Sequence, residues 1–337
     1  IYNKFRNSLI IKIYFTFLLI FSLSLLGDPY TPLNFPSYNP FTLKFIHFDN
    51  KVLGNYQDKN HLSISLENSS FAVKENIYSD ELILDGEITK ASINYTNQLS
   101  DNLTINVNLP IYTFNKGFLD SPIEQWHNFF GLSDGSRVNF PKNQLNFEIL
   151  SNSNEEKIKD SYVGFGDIQV STKLKFYSKN ENDLYFITSI EVPTGSKKKN
   201  LGNNEFEGIV ALNLKNNIRD NLVINSVFGV SIINQKNNFL FKERNINYFS
   251  KLLFSWKPQY FLLRNVFNPL IYKINIEVFE PKIKSDFKAL GDEYYVFGLG
   301  ATYEFAKGKY FNFGFSEDLK VNSSADFSFI FGFEMKI

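Results

Sequence analysis

Residues Ala325–Ile337, which end the chain, read ADFSFIFGFEMKI. Every odd position is apolar and nearly every even position is small or polar, and a period of two places these sets on opposite faces of a β-strand. The apolar face carries four phenylalanines, spread over about the 25 Å height of an outer-membrane barrel's apolar band. Lipid leaves no polar strand edge unpaired. We therefore predict that this strand closes a transmembrane β-barrel.

The composition fits strands whose two faces meet different surroundings. The 337 residues include 37 Phe and 18 Tyr, yet the mean hydropathy is −0.20. This balance is expected when lipid-facing and lumen-facing residues alternate. The 35 basic residues equal the 35 acidic residues, so we expect no nucleic-acid partner. Because the chain has no Cys, disulfides and thiol chemistry are excluded.

The first 27 residues have the pattern of a secretory signal peptide. Basic residues precede an apolar run, Ile13–Leu26, that is too short to span a membrane as a helix. We predict a signal peptide at residues 1–27, with an uncleaved anchor as the alternative. Three prolines follow, Pro29, Pro32 and Pro36, and they exclude a ladder strand. Residues 28–61 are therefore predicted to form an N-terminal periplasmic arm, and residues 62–337 the barrel.

Strand-like alternation recurs along the predicted barrel, with breaks of two sizes. Short breaks rich in Asp, Asn, Gly and Pro alternate with longer ones such as Asn115–Tyr162. Outer-membrane barrels alternate tight periplasmic turns with longer outer loops in the same way. If the final strand runs inward, every short turn must lie on the periplasmic side, and this condition predicts about twelve antiparallel strands. It also requires that Gln259–Glu280 is one strand bent at Pro269 and that Asn143–Leu150 belongs to an outer loop. The predicted fold is therefore an all-β transmembrane barrel with one short helix in a long outer loop.

That helix is predicted within Gly117–Leu132. Ser121 suits the N-cap, with Pro122 at the first helical position and Glu124 completing a capping box, and Gly131 suits the C-cap. The apolar helix face, led by Trp126, needs cover. We expect the long loop to fold over or into the barrel mouth, so that the upper lumen covers this face.

Charged residues in the predicted wall and long loop are candidates for lining the lumen. A charge facing lipid at mid-depth costs about 2–4 kcal/mol for Lys or Arg and less for an acid, so we expect such groups to face inward. They either line a solute path or link lumen side chains to one another. The candidate lumen and loop residues are Asp85, Glu87, Asp120, Glu124, His127, Arg137, Asp167 and Glu191.

His127 is a candidate for two functional roles, a metal ligand and a catalytic residue. Glu124 and His127 are three residues apart, a spacing by which a helix offers two ligands to one metal, but capping already explains Glu124, so no metal and no cofactor is predicted. His127 is also the candidate catalytic residue if the barrel hydrolyses lipid with a Ser–His pair. A packing role is the more common one for a single histidine, and no catalytic residue is predicted.

Several segments together resemble a known bacterial outer-membrane family. In chain order they are Leu82–Glu87, Gly117–Leu132 followed by Arg137, Gly164–Ile168 and Val192–Gly195. The chain is similar in them to the family catalogued as domain of unknown function 3187, and the block Asp120, Glu124, His127 is the most specific part. The resemblance implies an outer-membrane barrel and no established activity.

The leading hypothesis is a porin-like channel in the outer membrane that passes a small solute passively and is gated by the long loop. The alternatives are an enzyme that modifies outer-membrane lipid and a structural or surface-binding barrel. At the level of the fold, the alternative is a soluble exported β-protein. The expected partners are outer-membrane lipid, the barrel assembly machinery and a small solute.

Overall fold

The computed structural model describes residues 30–54, 60–131, 135–151, 154–219, 221–234, 242–258, 270–320 and 324–337. The predicted signal peptide lies outside these ranges. The described chain is dominated by twelve long antiparallel strands. They are β1 (Asn60–Ile77), β2 (Asp80–Gln98), β3 (Leu103–Asn115), β4 (Ile168–Lys179), β5 (Asn182–Val192), β6 (Glu207–Arg219), β7 (Leu222–Ile232), β8 (Ile246–Trp256), β9 (Leu270–Phe279), β10 (Tyr294–Ala306), β11 (Lys309–Asp318) and β12 (Phe327–Lys336).

The strands form a closed barrel, as predicted. Each strand pairs with its sequence neighbours, and β12 pairs with β1 over ten positions from Ser70↔Phe327 to His61↔Lys336. The alternating burial of β12 fits this closure, because Phe331 is 57% exposed on the outer face while Glu334 is 2% exposed on the inner face. An outer face of exposed aromatic and aliphatic side chains is what a barrel presents to membrane hydrocarbon. The prediction of about twelve strands is confirmed.

The two ends of the barrel differ in the length of their connections. At one end, the turn end, β4–β5 and β10–β11 are joined by two residues each, 180–181 and 307–308. At the other, the loop end, the connections include residues 116–167 and 280–293. The exception is β1–β2, which the two residues Tyr78 and Ser79 join at the loop end. The short turns mark the periplasmic side. Of the predicted bent strand Gln259–Glu280, residues 259–269 lie outside the described ranges, and β9 begins at Leu270.

Three short strands extend the sheet at the loop end. Asn146–Ser151 pairs with β2 and with Asn154–Ile158, and Tyr162–Phe165 pairs with β3. The prediction that Asn143–Leu150 belongs to an outer-loop excursion is therefore confirmed. Lys242–Glu243 and Ile283–Lys284 form a separate two-stranded ribbon from two further loops.

The predicted helix is present as α1 (Asp120–Phe130), and a second helix, α2 (Lys288–Gly291), has four residues. No helix in the described part of the chain has the length and apolar character needed to cross a membrane. Gly131 ends α1 with φ 68°, as predicted. The predicted N-cap is wrong, because Leu119 occupies that position and makes no side-chain cap. The N-terminal amides are instead bound by Glu87 of β2, which accepts hydrogen bonds from Phe118 N and Leu119 N at 2.7 and 2.6 Å.

The segment 30–54, part of the predicted arm, lies inside the barrel. At the turn end of β8, Ser255 donates a hydrogen bond to Tyr30 O. Near the loop end, the Tyr294 hydroxyl donates to Ser37 O. The chain reverses at residues 39–45, where Leu43 N donates to Asn39 O. It then returns toward the turn end, where β1 begins. We call residues 30–54 the internal arm.

Candidate functional site in the barrel lumen

Apolar side chains of the internal arm pack on one side of the lumen. Leu33, Phe35, Phe48 and three further arm residues share a buried cluster with inward-facing residues of β5–β10 and β12. The tip of the arm, with Phe41 and Phe45, belongs to a second cluster that includes the loop-end parts of β1–β3 and the loops above them. The sequence favours a polar lumen, but on this side the arm supplies an apolar partner for inward-facing apolar residues.

The opposite side of the lumen is polar. Buried polar side chains point inward from three consecutive strands: Ser92, Asn94 and Thr96 of β2, Thr104, Asn106 and Asn108 of β3, and Gln169, Ser171 and Lys173 of β4. We call this set the polar strip. Within the described ranges, the side-chain oxygens of Ser92, Asn94, Asn106 and Asn108 have no protein donor or acceptor. Such oxygens are favourable partners for water or a polar solute, because a buried polar atom without a partner costs free energy.

Ionic contacts hold the returning limb of the arm. Lys51 Nζ lies 2.8 Å from Glu334 Oε2 of β12. Asn50 accepts a hydrogen bond from Lys251 Nζ at 3.0 Å, and the same ammonium lies 3.0 Å from Glu277 Oε2. These side chains are almost fully buried. A buried charge needs a close partner of opposite sign, and each of these lysines has one.

A second contact holds the backbone of the arm at one residue. Ile46 N donates to Glu207 Oε2 at 2.7 Å, and Lys282 Nζ donates to Ile46 O. Lys282 Nζ also lies 3.0 Å from His47 Nδ1. Burial lowers the pKa of Lys282 to about 7, although the carboxylates of Glu207 and Glu191 oppose that change. The amine on the β9–β10 connection therefore titrates near neutral pH while it contacts the arm.

The space left beside the arm is small. A cavity of about 30 Å³ lies between the arm and the wall, lined by residues that include Tyr38, His47, Lys90, Asn108 and Gln169. A second cavity of about 10 Å³ lies at the arm tip. Since a water molecule needs about 10–15 Å³ measured this way, the larger cavity has room for about two waters. Among the described residues, the arm therefore leaves little open space in this part of the lumen.

Two of the predicted site residues, Glu191 and Asp167, lie beside this cavity. Glu191 points inward from β5, and its carboxylate is close enough to Lys282 to influence it. Asp167 lies just before β4, where its Oδ1 accepts a hydrogen bond from Gly195 N at 2.6 Å. Both line the 30 Å³ cavity. Asp167 also positions the β5–β6 connection.

The other predicted site residues lie outside the lumen. Asp85 and Glu87 alternate with inward-facing residues of β2 and point outward, so the expectation that they face the lumen is wrong. Their charges avoid lipid because the long loop covers this part of the wall. Arg137, which is 3% exposed, binds Asp120 and Asp326 in the same covered region. Glu124 pairs with Lys142 of the loop.

The three histidines lie in different parts of the fold: His47 in the internal arm, His61 in β1 and His127 in α1. His127 is buried on the barrel side of α1. In the described residues, no group of three or more His, Cys, Asp or Glu is placed to hold a metal ion. Ser37 Oγ lies 3.3 Å from His47 Nδ1, and both residues belong to the arm inside the barrel.

Sequence reasoning missed the internal arm, although inward-facing glycines gave a signal for it. A Cβ on Gly298 would lie 2.2 Å from Phe35, and one on Gly300 or Gly314 would lie 2.3 or 2.9 Å from Leu33. Side chains of ordinary size at these three positions would occupy the space of the arm. Glycine on the inner face of two adjacent strands indicates that another segment approaches the wall there.

Three solved structures are similar to this chain, and the first of them shares its fold. The COG4313 outer membrane channel from Pseudomonas putida F1 is 13% identical, with 83% of this chain and 96% of that chain covered and a TM-score of 0.52. The NanC porin is 5% identical, with 82% and 100% covered and a TM-score of 0.48. The Pseudomonas putida toluene transporter TodX is 10% identical, with 89% and 92% covered and a TM-score of 0.41. No curated protein matches the sequence significantly.

The closed barrel, its apolar outer face and this shared fold identify an outer-membrane protein. The family model of DUF3187, described as protein of unknown function, matches residues 10–337. This match extends over almost the entire sequence, and the chain therefore belongs to the DUF3187 family.

Proposed function

We propose that the protein is an outer-membrane channel for a small polar solute, closed in this conformation by the internal arm. The observation that carries the proposal is the polar strip. It lies on β2–β4, on the turn-end side of the apolar cluster at the loop end, and presents side-chain oxygens without protein partners beside the arm. The shared fold with a solved outer membrane channel supports the proposal.

A solute path along the polar strip is favoured, because separation of the arm from the strip costs less free energy than withdrawal of the whole arm. Ten apolar side chains of the arm are buried, and burial of each contributes about 1.5–3 kcal/mol. Complete withdrawal of the arm would therefore cost on the order of 15–30 kcal/mol, too much for a thermal fluctuation. Separation from the strip breaks contacts such as Gln169 Nε2 to His47 O and Lys173 Nζ to Gly54 O. Each of these is worth about 1–3 kcal/mol.

The experiment measures conductance in planar bilayers. Asn94→Phe and Asn108→Phe should each lower the conductance, because a ring would fill the strip. Ile93→Phe is the matched control, since Ile93 lies on the outward face of the same strand and is 37% exposed. Removal of residues 30–54 should raise the conductance. If neither the full chain nor the shortened protein conducts, the channel proposal fails.

The filled lumen also favours a second candidate, a structural barrel that the arm stabilises from inside. This candidate predicts no conductance from either protein and a large loss of thermal stability on removal of the arm. We also propose that β12 is the segment recognised by the barrel assembly machinery, because it is the closing strand and carries four outward-facing phenylalanines.

A further inference from the structure

Helix α1 lies on the outer wall of the barrel, not in its mouth. The Trp126 ring packs on Phe315 and Phe327 with centroid distances of 5.4 and 6.3 Å, and its Nε1 donates to Glu317 Oε1 at 2.9 Å. These three wall residues alternate with buried, inward-facing residues of β11 and β12 and therefore point outward. The expectation that the upper lumen covers Trp126 is wrong, because the outward-facing aromatic residues of the closing strands provide the cover.

Buried charges fix α1 in this position. Arg137 donates to Asp326 Oδ2 of the segment before β12 at 2.7 Å and to Ser70 Oγ of β1 at 3.1 Å, and it pairs with Asp120 at the start of α1. Glu87 of β2 binds the backbone amides at the helix N-terminus. The helix is therefore anchored to three strands across the barrel seam, and its orientation relative to the wall is fixed.

With this orientation, α1 presents three different sides. Ile123 and His127 are buried against the barrel. Ser121, Gln125 and Asn128 form an exposed polar side. Between these two sides, Phe129 is 82% exposed and Phe130 is 55% exposed, and the preceding Phe118 is 63% exposed. At one end of α1, Phe118 lies 6.5 Å from Phe329 of the lipid-facing wall. At the other end, Phe129 contacts Phe130, and Phe130 lies 4.4 Å from Trp126, which packs on the wall. Both ends of this aromatic surface therefore adjoin the surface that contacts membrane hydrocarbon.

We propose that α1 is an interfacial helix, and that Phe118, Phe129 and Phe130 insert among the acyl chains of the outer leaflet. The occupant is lipid because the exposed rings continue the lipid-facing wall at its loop end. One side of α1 faces the barrel, the next faces hydrocarbon and the third faces water. A helix that lies in a membrane interface likewise has an apolar side in hydrocarbon and a polar side in water. The Trp126 indole, with an apolar body and a hydrogen-bonded nitrogen, suits the same depth.

The test uses the two tryptophans of the chain, Trp126 and Trp256. The Trp256→Phe variant is reconstituted in phosphatidylcholine vesicles with bromine atoms at known acyl-chain depths. Trp126 fluorescence should be quenched most by bromines near the interface, and Phe129→Ser with Phe130→Ser should lower that quenching at least twofold. Phe228→Ser is the matched control, because Phe228 is an outward-facing ring of β7, 66% exposed and away from α1, and it should leave the quenching unchanged.

A direct probe avoids dependence on the fold of the double variant. Phe129→Trp, in a chain with both native tryptophans changed to Phe, should be quenched by the brominated lipid and protected from aqueous acrylamide. Strong acrylamide quenching without quenching by brominated lipid would overturn the proposal. Concentration-dependent self-association through this surface, with protection from both quenchers, would also overturn it, because a second copy would then cover the rings.

Discussion

The Nζ atom of Lys51 in the internal arm lies 2.8 Å from the Oε2 atom of Glu334 in β12, and both side chains are less than 10% exposed. Loss of one partner leaves the other charge buried, which costs about 3–5 kcal/mol. Lys51→Met and Glu334→Gln should therefore each lower the temperature at which the folded, fast-migrating form disappears from gels. The double variant Lys51→Met with Glu334→Gln should lose less stability than the sum of the two single variants, because it leaves no unpaired buried charge.

An exposed ion pair serves as the control for this measurement. Lys320 and Asp292 lie 2.6 Å apart with side chains 42% and 43% exposed, and exposed pairs contribute about 0–1 kcal/mol. Lys320→Met should change the transition temperature little. Equal effects of Lys320→Met and Lys51→Met would show that the arm contact has no special energetic role.

The contact of Phe35 with Gly298 predicts a compensating pair of substitutions. A Cβ at position 298 would lie 2.2 Å from the Phe35 ring, and overpacking of this kind costs about 1–3 kcal/mol. Gly298→Ala should lower the transition temperature, and Phe35→Ala added to it should cost less than it does in the natural chain. Gly208→Ala is the control, because its Cβ would meet Ser189 O at 3.6 Å. Strictly additive effects of the two substitutions would argue against the position of the arm.

The buried Lys282 predicts a pH dependence of stability. Burial lowers its pKa to about 7, whereas an unfolded lysine has a pKa of about 10.4. Between these values the folded protein binds fewer protons than the unfolded chain, so this group raises the free energy of unfolding as the pH rises. The stabilisation is absent below about pH 7, where both states are protonated.

The measurement compares the natural protein with Lys282→Met, which cannot titrate at this position. The difference in transition temperature should shift in favour of the natural protein between pH 7 and about pH 9.5. Lys198→Met is the control, because Lys198 lies in an exposed turn of the β5–β6 connection. Parallel pH profiles of the natural protein and Lys282→Met would contradict the assignment.

The position of α1 predicts that the helix does not gate the lumen. Since Trp126 packs on the outward-facing rings of Phe315 and Phe327, deletion of residues 117–131 should leave the single-channel conductance unchanged. This differs from the expectation drawn from the sequence, in which the long loop closes the mouth. The deletion variant and Asn94→Phe are measured in parallel in planar bilayers. An increase in conductance after the deletion would show that the long loop gates the channel.

The barrel itself was predictable because its determinants are local. The lipid-facing side of a strand is apolar and the lumen-facing side is mostly polar, so the alternation in Phe327–Phe333 shows which face is outside. The lengths of the turns then show in which direction each strand crosses the membrane. The interior was less predictable. Pro29, Pro32 and Pro36 exclude a ladder strand but do not specify where an irregular segment packs. Its apolar residues have no regular period, so sequence alone assigned the arm to the periplasm.

The candidate site shows the same limit. Asp85 and Glu87 were assigned to the lumen by a rule that applies where the wall touches lipid, and here the long loop covers the wall. That cover depends on contacts far apart in sequence, such as Arg137 with Asp326. Glu191 and Asp167 line the cavity beside the arm. Their neighbours Lys282 and His47 come from a loop and from the arm, and no sequence spacing brings these residues together.

The order of the chain has a consequence for biogenesis. The arm precedes β1, and its Lys51 binds β12, the last of the twelve described barrel strands along the chain. The inward-facing apolar residues of β5–β10 share one buried cluster with the arm. We therefore expect the sheet to curve around the arm during assembly. Pairing of β12 with β1 and burial of the Lys51–Glu334 ion pair should then occur in a single step.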